Sequence, residues 1–150
     1  MAMLVFPSDA DKAYDTRGET RMTSSILVID DDAGIRLLCR MNLERGDVTV
    51  TEAASGAEGL EAARGDVPAL IVLDLMMSQM DGVEVLRRLK EDPVTESIPV
   101  LILTAKASGY ERDRCTTLGA AAFMTKPFSM QELADTVNAL MREGSPATRP

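Results

Sequence analysis

Five polar residues stand where short apolar runs end. Asp30 and Asp31 follow Ile26-Leu27-Val28-Ile29, Asp74 follows Ala69-Leu70-Ile71-Val72-Leu73, Thr104 follows Ile98 to Leu103, and Lys126 follows Ala121 to Thr125. As a set they suit phosphoryl transfer. A carboxylate such as that of Asp74 can attack a phosphoryl group and form a mixed anhydride, the acyl-phosphate chemistry of aspartyl-phosphate enzymes. Three carboxylates gathered at one apolar rim repel each other and resist desolvation, so one must hold a proton or a cation must compensate. Mg2+ fits such a set: it prefers hard oxygen ligands and keeps several waters, which leaves room for a phosphate oxygen. Lys126 and the metal would stabilise charge on the equatorial oxygens, and Thr104 can donate its hydroxyl to the new phosphate. The chain contains no histidine. That removes the commonest general base and any self-supplied phosphohistidine, so the phosphoryl donor must be external.

Taken singly, each residue has an ordinary reading. An Asp after a strand is commonly a turn former or helix N-cap, and Asp32 fits that role toward the N–H groups of Ala33 to Ile35. Asp30, Asp31 and Asp74 alone divide between turn chemistry and function. Thr104 alone reads as a strand-end hydroxyl, Lys126 as a surface lysine, and Asp81-Gly82 as a turn followed by a helix start. Convergence lifts the set above these readings. In an open parallel sheet all strands point one way, so residues just past their carboxyl ends collect at the edge where ligands bind.

The elements that must deliver this convergence are legible from Ile26 onward. Short apolar runs alternate five times with amphipathic stretches, the signature of βα units around a doubly wound, five-stranded parallel sheet. Ile26 to Ile29 reads as a strand covered on both faces, followed by a helix that turns Ile35, Leu38, Cys39 and Asn42 to one side and closes at Gly46. Val48 to Thr51 alternates like an edge strand, and Ser55 caps a short helix carrying Leu60 and Ala63. After the strand Ala69 to Leu73, a helix from Gly82 to Glu91 is anchored by Val85, Leu86 and Leu89. The fourth strand, Ile98 to Leu103, tolerates Pro99 near its start. The helix after it, around Tyr110 to Leu118, has a poor apolar stripe and is expected to be the least firmly held. Ala121 to Thr125 make the last strand, and Ser129 caps a helix with Met130, Leu133, Val137, Leu140 and Met141 at helical spacing, stopped by Gly144.

Composition narrows the function classes. A net charge of −8 and a pI near 4.6 argue against a nucleic-acid-binding surface, which needs clustered Lys and Arg. Met3-Leu4-Val5-Phe6 is far short of a signal-peptide core or a membrane span, so a soluble protein without a membrane role is expected. Cys39 and Cys115 lie in helical segments without metal-ligand spacing and read as buried thiols in a reducing, cytoplasmic setting. Residues 1–23 read as a mobile leader, 24–143 as one domain able to bury roughly 68–70% of its unfolded surface, and 144–150 as a tail or the start of a linker.

The segments ILVIDDDAGIR, IVLDLMMSQMDG, ILTAKA and MTKPF, in that order and spacing, resemble the receiver domain of two-component response regulators over about residues 24–143. The resemblance implies a flavodoxin-like sheet of order 2-1-3-4-5. It implies phosphotransfer to Asp74 from the phosphohistidine of a histidine kinase or histidine phosphotransfer protein, and output through a downstream protein effector. Such a domain catalyses its own aspartyl phosphorylation and slow dephosphorylation and is otherwise no enzyme. By the same resemblance Asp31 and Asp74 are direct Mg2+ ligands, Asp30 a ligand through water, and Met76 the donor of a backbone carbonyl. Thr104 and Lys126 are the phosphate partners, Phe123 is the switch aromatic that turns inward when the threonine moves, and Pro127 is a cis proline that aims Lys126.

Two departures stand out. Ser78 replaces a proline common four residues after the acceptor, which implies a less rigid loop. Ala122 replaces an Asp that one transcription-factor branch uses in dimer salt bridges, so homodimerisation stays open. Two other readings compete. A haloacid-dehalogenase-like Mg2+ phosphatase would make Asp30 the nucleophile of Asp30-Asp31-Asp32, but Gly34 stands where that family has a hydroxyl. A non-phosphorylated, receiver-like binding scaffold would have no use for the complete set of Asp30, Asp31, Asp74, Thr104 and Lys126.

Overall fold

The computed structural model describes residues 12–14 and 20–143. β1 (Lys12–Tyr14) and β2 (Thr20–Met22) pair antiparallel as a separate two-stranded sheet. The sequence shows no two-residue period there and predicts no strands in this stretch, so the pairing corrects that reading. Residues 1–11 and 15–19 of the leader and the tail 144–150, including the expected stop at Gly144, lie outside the described residues.

The main sheet is parallel throughout, built from β3 (Ser24–Ile29), β4 (Val48–Ala53), β5 (Leu70–Leu73), β6 (Val100–Thr104) and β7 (Ala122–Thr125). Its strands lie in the order β4-β3-β5-β6-β7, which is 2-1-3-4-5 counted within the sheet, the doubly wound arrangement expected. Strand alternation sorts the core into two layers. Ile26, Val28, Leu70, Val72, Leu101 and Leu103 pack on one face against α1 (Ala33–Leu43) and α5 (Met130–Glu143) through Cys39, Leu43, Leu133, Val137 and Leu140. Leu27, Ile29, Ile71, Leu73, Val100 and Ile102 pack on the other against α2 (Gly56–Gly65), α3 (Gly82–Glu91) and α4 (Gly109–Leu118). Burial on both faces explains why these strands read as unbroken apolar runs. Each fully buried Leu or Ile contributes about 1.5–3 kcal/mol relative to exposure.

Every helix start carries a side-chain cap. Asp32 accepts from Gly34 and Ile35, Ser55 from Glu58, Asp81 from Val83, Ser108 from Glu111 and Ser129 from Glu132, each through a backbone N–H. Two details of α1 differ from expectation. The helix ends at Leu43, because Glu44 is extended and its carboxylate turns back to the Val50 N–H, while Gly46, at φ +56°, makes the tight turn bridging Arg45 to Val48. Leu38 is exposed and Leu43 takes its place on the buried stripe. The fourth parallel strand, β6, begins at Val100, since Pro99 has no N–H to give the ladder. Among the described residues no helix is long and apolar enough to cross a membrane.

Candidate functional site

The chain runs from β3 outward to β4 on one side and later to β5 on the other, so a crevice opens between the carboxyl ends of β3 and β5. Ile29 pairs with Leu73 in register, and the next residue on each strand is an aspartate, Asp30 and Asp74. Pairing alone therefore sets these two carboxylates side by side. Thr104 ends β6 and Lys126 follows β7, with Lys126 N–H donating to the Thr104 carbonyl at 2.9 Å. The Lys126–Pro127 peptide is cis. Gly82, at the start of α3, is forced by close approach: a Cβ there would strike the backbone of Asp74 and Leu75.

The side chains close into one network. Lys126 Nζ lies 2.9 Å from Asp30 Oδ2 and 3.4 Å from Asp74 Oδ2. Asp30 Oδ1 accepts from the Asp32 N–H at 2.9 Å, and Asp74 Oδ1 from the Met76 N–H at 3.1 Å. Asp31 Oδ2 accepts from the Ser78 N–H at 3.0 Å. Asp30, Asp74 and Thr104 are buried while Asp31 is exposed. Thr104 Oγ1 accepts from the Lys106 N–H at 3.2 Å and keeps its own proton to give. Phe123, half-buried on β7, packs on the core beneath α4, with the Arg112 guanidinium 4.6 Å above its ring centre.

The electrostatics show an excess of acid. Burial pushes the Asp30 carboxyl above its ordinary range and nearby Asp74 adds to this, outweighing the Lys126 and Asp32 hydrogen bonds that pull it down. Burial works against the Lys126 ammonium, yet Asp30 and Asp74 together hold it above the usual lysine range. The two shifts differ in origin: burial first raises Asp30, whereas Lys126 is raised because its one ammonium faces two buried carboxylates. One oxygen from each of Asp30, Asp31 and Asp74 falls within 4.8 Å of the others, an all-oxygen donor set that fits a hard divalent cation.

A family model described as the response regulator receiver domain matches residues 26–138. The chain belongs to this family. The receiver is 40% identical over 121 residues to the alkaline phosphatase synthesis transcriptional regulatory protein PhoP of Bacillus subtilis, covering 81% of this chain and 50% of that protein. It is 39% identical over 127 residues to the transcriptional regulatory protein SrrA of Staphylococcus aureus, covering 85% and 52%. The chain thus spans about half the length of the curated relatives it matches. Among solved structures, the Francisella response regulator 1452 receiver domain superposes with a TM-score of 0.75 at 31% identity, covering 82% of this chain and 100% of that one. The Vibrio cholerae chemotaxis protein CheY4 does so at 0.74 and 26% identity, covering 79% and 98%.

Asp32 spends its carboxylate on capping α1 and is exposed, which leaves the phosphatase reading of Asp30-Asp31-Asp32 without its second acid. Cys39 and Cys115 are buried, reduced thiols, and burial pushes Cys39 up to about 12. Three features of the receiver escaped sequence reasoning. The Ser78 amide on Asp31 could be glimpsed only as the missing proline. Arg112 over Phe123 and the buried Glu111 carry no sequence signal, because a charged residue in a weak helix reads as solvated surface.

Proposed function

We propose that this receiver takes a phosphoryl group onto Asp74 from the phosphohistidine of a partner histidine kinase or histidine phosphotransfer protein in the cytoplasm. The observation that carries the reading is Lys126 Nζ set between Asp30 and Asp74, at 2.9 Å and 3.4 Å, on a rim where three carboxylates converge. In the transfer a carboxylate oxygen of Asp74 bonds to phosphorus, the phosphorus–nitrogen bond of the donor breaks, and the imidazole leaves. The Met76 N–H on Oδ1 keeps Asp74 turned so that Oδ2 faces the Lys126 ammonium. Lys126 then meets the charge on the phosphoryl oxygens. Asp31, Asp74 and the Met76 carbonyl would hold Mg2+ directly and Asp30 would hold it through water, the bound ion neutralising phosphoryl charge as a Lewis acid.

Thr104 donates its hydroxyl to the new phosphate, and its shift lets Phe123 turn inward on β7, which changes the surface offered to an effector. The same site returns Asp74 to its free form by slow hydrolysis of the acyl phosphate. This acidic domain makes no nucleic-acid contact of its own. In relatives named as transcriptional regulators, we assign such contact to the half of the protein that lies outside the match. The test is intact-mass analysis after incubation with acetyl phosphate and Mg2+. Wild type gains one phosphoryl group, and Asp74→Asn gains none. Equal labelling of the two proteins would refute the assignment.

A further inference from the structure

Of the ten residues of α4 only Glu111 and Cys115 are buried, so one of the helix's two anchors is a carboxylate. Glu111 is 5% exposed; its Oε2 lies 2.9 Å from Lys106 Nζ, and its Oε1 has no hydrogen-bond partner. A buried carboxylate of this kind is tolerated only while its counter-ion stays in place. The counter-ion belongs to the loop that follows the switch threonine. Lys106 gives its backbone N–H to Thr104 Oγ1 at 3.2 Å and its ammonium to Glu111, so one residue joins the phosphate-reading hydroxyl to the underside of α4. Lys106 also lines the shallow cavity formed with Asp31, Met76 and Ser78, which puts its long stem beside the site as well as beside Glu111.

We infer that Glu111 is a positioning residue that makes α4 depend on Lys106, a latch that phosphorylation of Asp74 opens. The opening step rests on the phosphoacceptor reading above. A phosphoryl group brings close to two negative charges and competes with Glu111 for the Lys106 ammonium. Movement of Thr104 toward that phosphate carries the Lys106 backbone with it. Either event strips Glu111 of its partner, and the carboxylate regains water only if α4 shifts or loosens. Arg112, the next residue of α4, lies over Phe123, so the same helix movement lifts Arg112 from the ring and leaves Phe123 free to turn inward.

The latch predicts opposite behaviour for its two halves, read by hydrogen exchange of the α4 amides. In the ligand-free protein, Lys106→Met leaves Glu111 buried and unpaired, and exchange across residues 109–118 rises roughly tenfold or more. Glu111→Met places an apolar side chain beside Cys115; exchange stays at or below the wild-type rate, and fluoroberyllate with Mg2+ no longer raises it. The double variant behaves like Glu111→Met, because a lysine without the carboxylate has nothing to hold. An unchanged exchange rate in Lys106→Met, or a double variant that exchanges as fast as Lys106→Met, overturns the latch. The phosphoacceptor reading fails by a different result, an intact-mass assay in which wild type gains no phosphoryl group or Asp74→Asn gains one; a wild type that is labelled but whose α4 exchange does not rise overturns the opening step instead. The ligand-free comparison judges the latch in either case.

Discussion

Helices α3 and α4 stand side by side on one face of the sheet and are held in opposite ways. α3 buries Gly82, Val83, Val85, Leu86 and Leu89, and its first residue touches the backbone of Asp74. α4 buries one thiol and one carboxylate, and turns Tyr110 to solvent at 69% exposure. The first helix is part of the wall beside Asp74; the second is held by Cys115, by half-buried Leu118 and by one ion pair to a loop. Chemistry needs carboxylates held to within fractions of an ångström, whereas a readout must sit near the low end of local stability so that one new charge can move it. The same sheet face supplies both by packing one neighbour well and the other poorly.

That contrast can be broken most forcefully through stability. Leu86→Ala removes a fully buried side chain from α3 and should cost about 2–5 kcal/mol, read as a lowered urea midpoint. Tyr110→Ala, on α4, should stay within about 0.5 kcal/mol. Comparable losses from the two would mean that α4 is as firmly packed as α3, and the division between wall and readout would collapse.

A second test asks what the acceptor site costs the fold. The Asp30 carboxyl is raised by burial, so the folded protein holds its proton to a higher pH than the unfolded chain does. The stability Asp30 contributes is therefore complete below its unfolded pKa and is lost as pH rises through the folded one. Lys126, also raised, keeps its contribution below the ordinary lysine pKa and loses it only in strong alkali, so it stays charged across the carboxylate window. Asp30→Asn should then stabilise the metal-free protein near neutral pH, with the gain fading at about pH 3 as the wild-type carboxyl takes up its proton. Urea melts at both pH values in chelator will show it. Added Mg2+ should narrow the gap by stabilising wild type more strongly. A variant no more stable than wild type at neutral pH would mean that Lys126 fully compensates the buried acid.

Much of this was legible before any coordinates. The five strands and the gathering of Asp30, Asp31, Asp74, Thr104 and Lys126 follow from apolar runs buried on both faces and from the direction all parallel strands share, while the 2-1-3-4-5 order came from the receiver resemblance alone. The caps at Asp32, Ser55 and Ser129 were readable because their chemistry is local, as was the turn and helix start at Asp81-Gly82. What escaped depends on tertiary placement. Leu38 has the right type for the core and the wrong angle around α1, while Glu111 has the wrong type and is buried nonetheless. The pairing of β1 with β2 joins segments without alternation, so no period announces it.

The smallest expected effect concerns the two loops beside Asp74, both tied to the site by main-chain N–H groups. The loop after β6 gives the Lys106 amide to Thr104, and the loop after β5 gives the Ser78 amide to Asp31. Proline, common in the family at the position of Ser78, has no such hydrogen to give. Ser78 keeps a donor that orients Asp31, one of the three carboxylates that converge at the rim. Ligating carboxylates lose about 10–100-fold in metal affinity when such supporting hydrogen bonds are removed. Ser78→Pro should accordingly weaken Mg2+ binding about tenfold by titration calorimetry, near the low end of that range because Asp31 is exposed. Ser78→Ala keeps the amide and should bind as wild type does. Equal affinities for the Pro and Ala variants would leave the serine as a matter of loop stiffness alone. A loss confined to Pro would mean that the acceptor-side loop holds its place by serving the metal, as the other loop holds its place by serving α4.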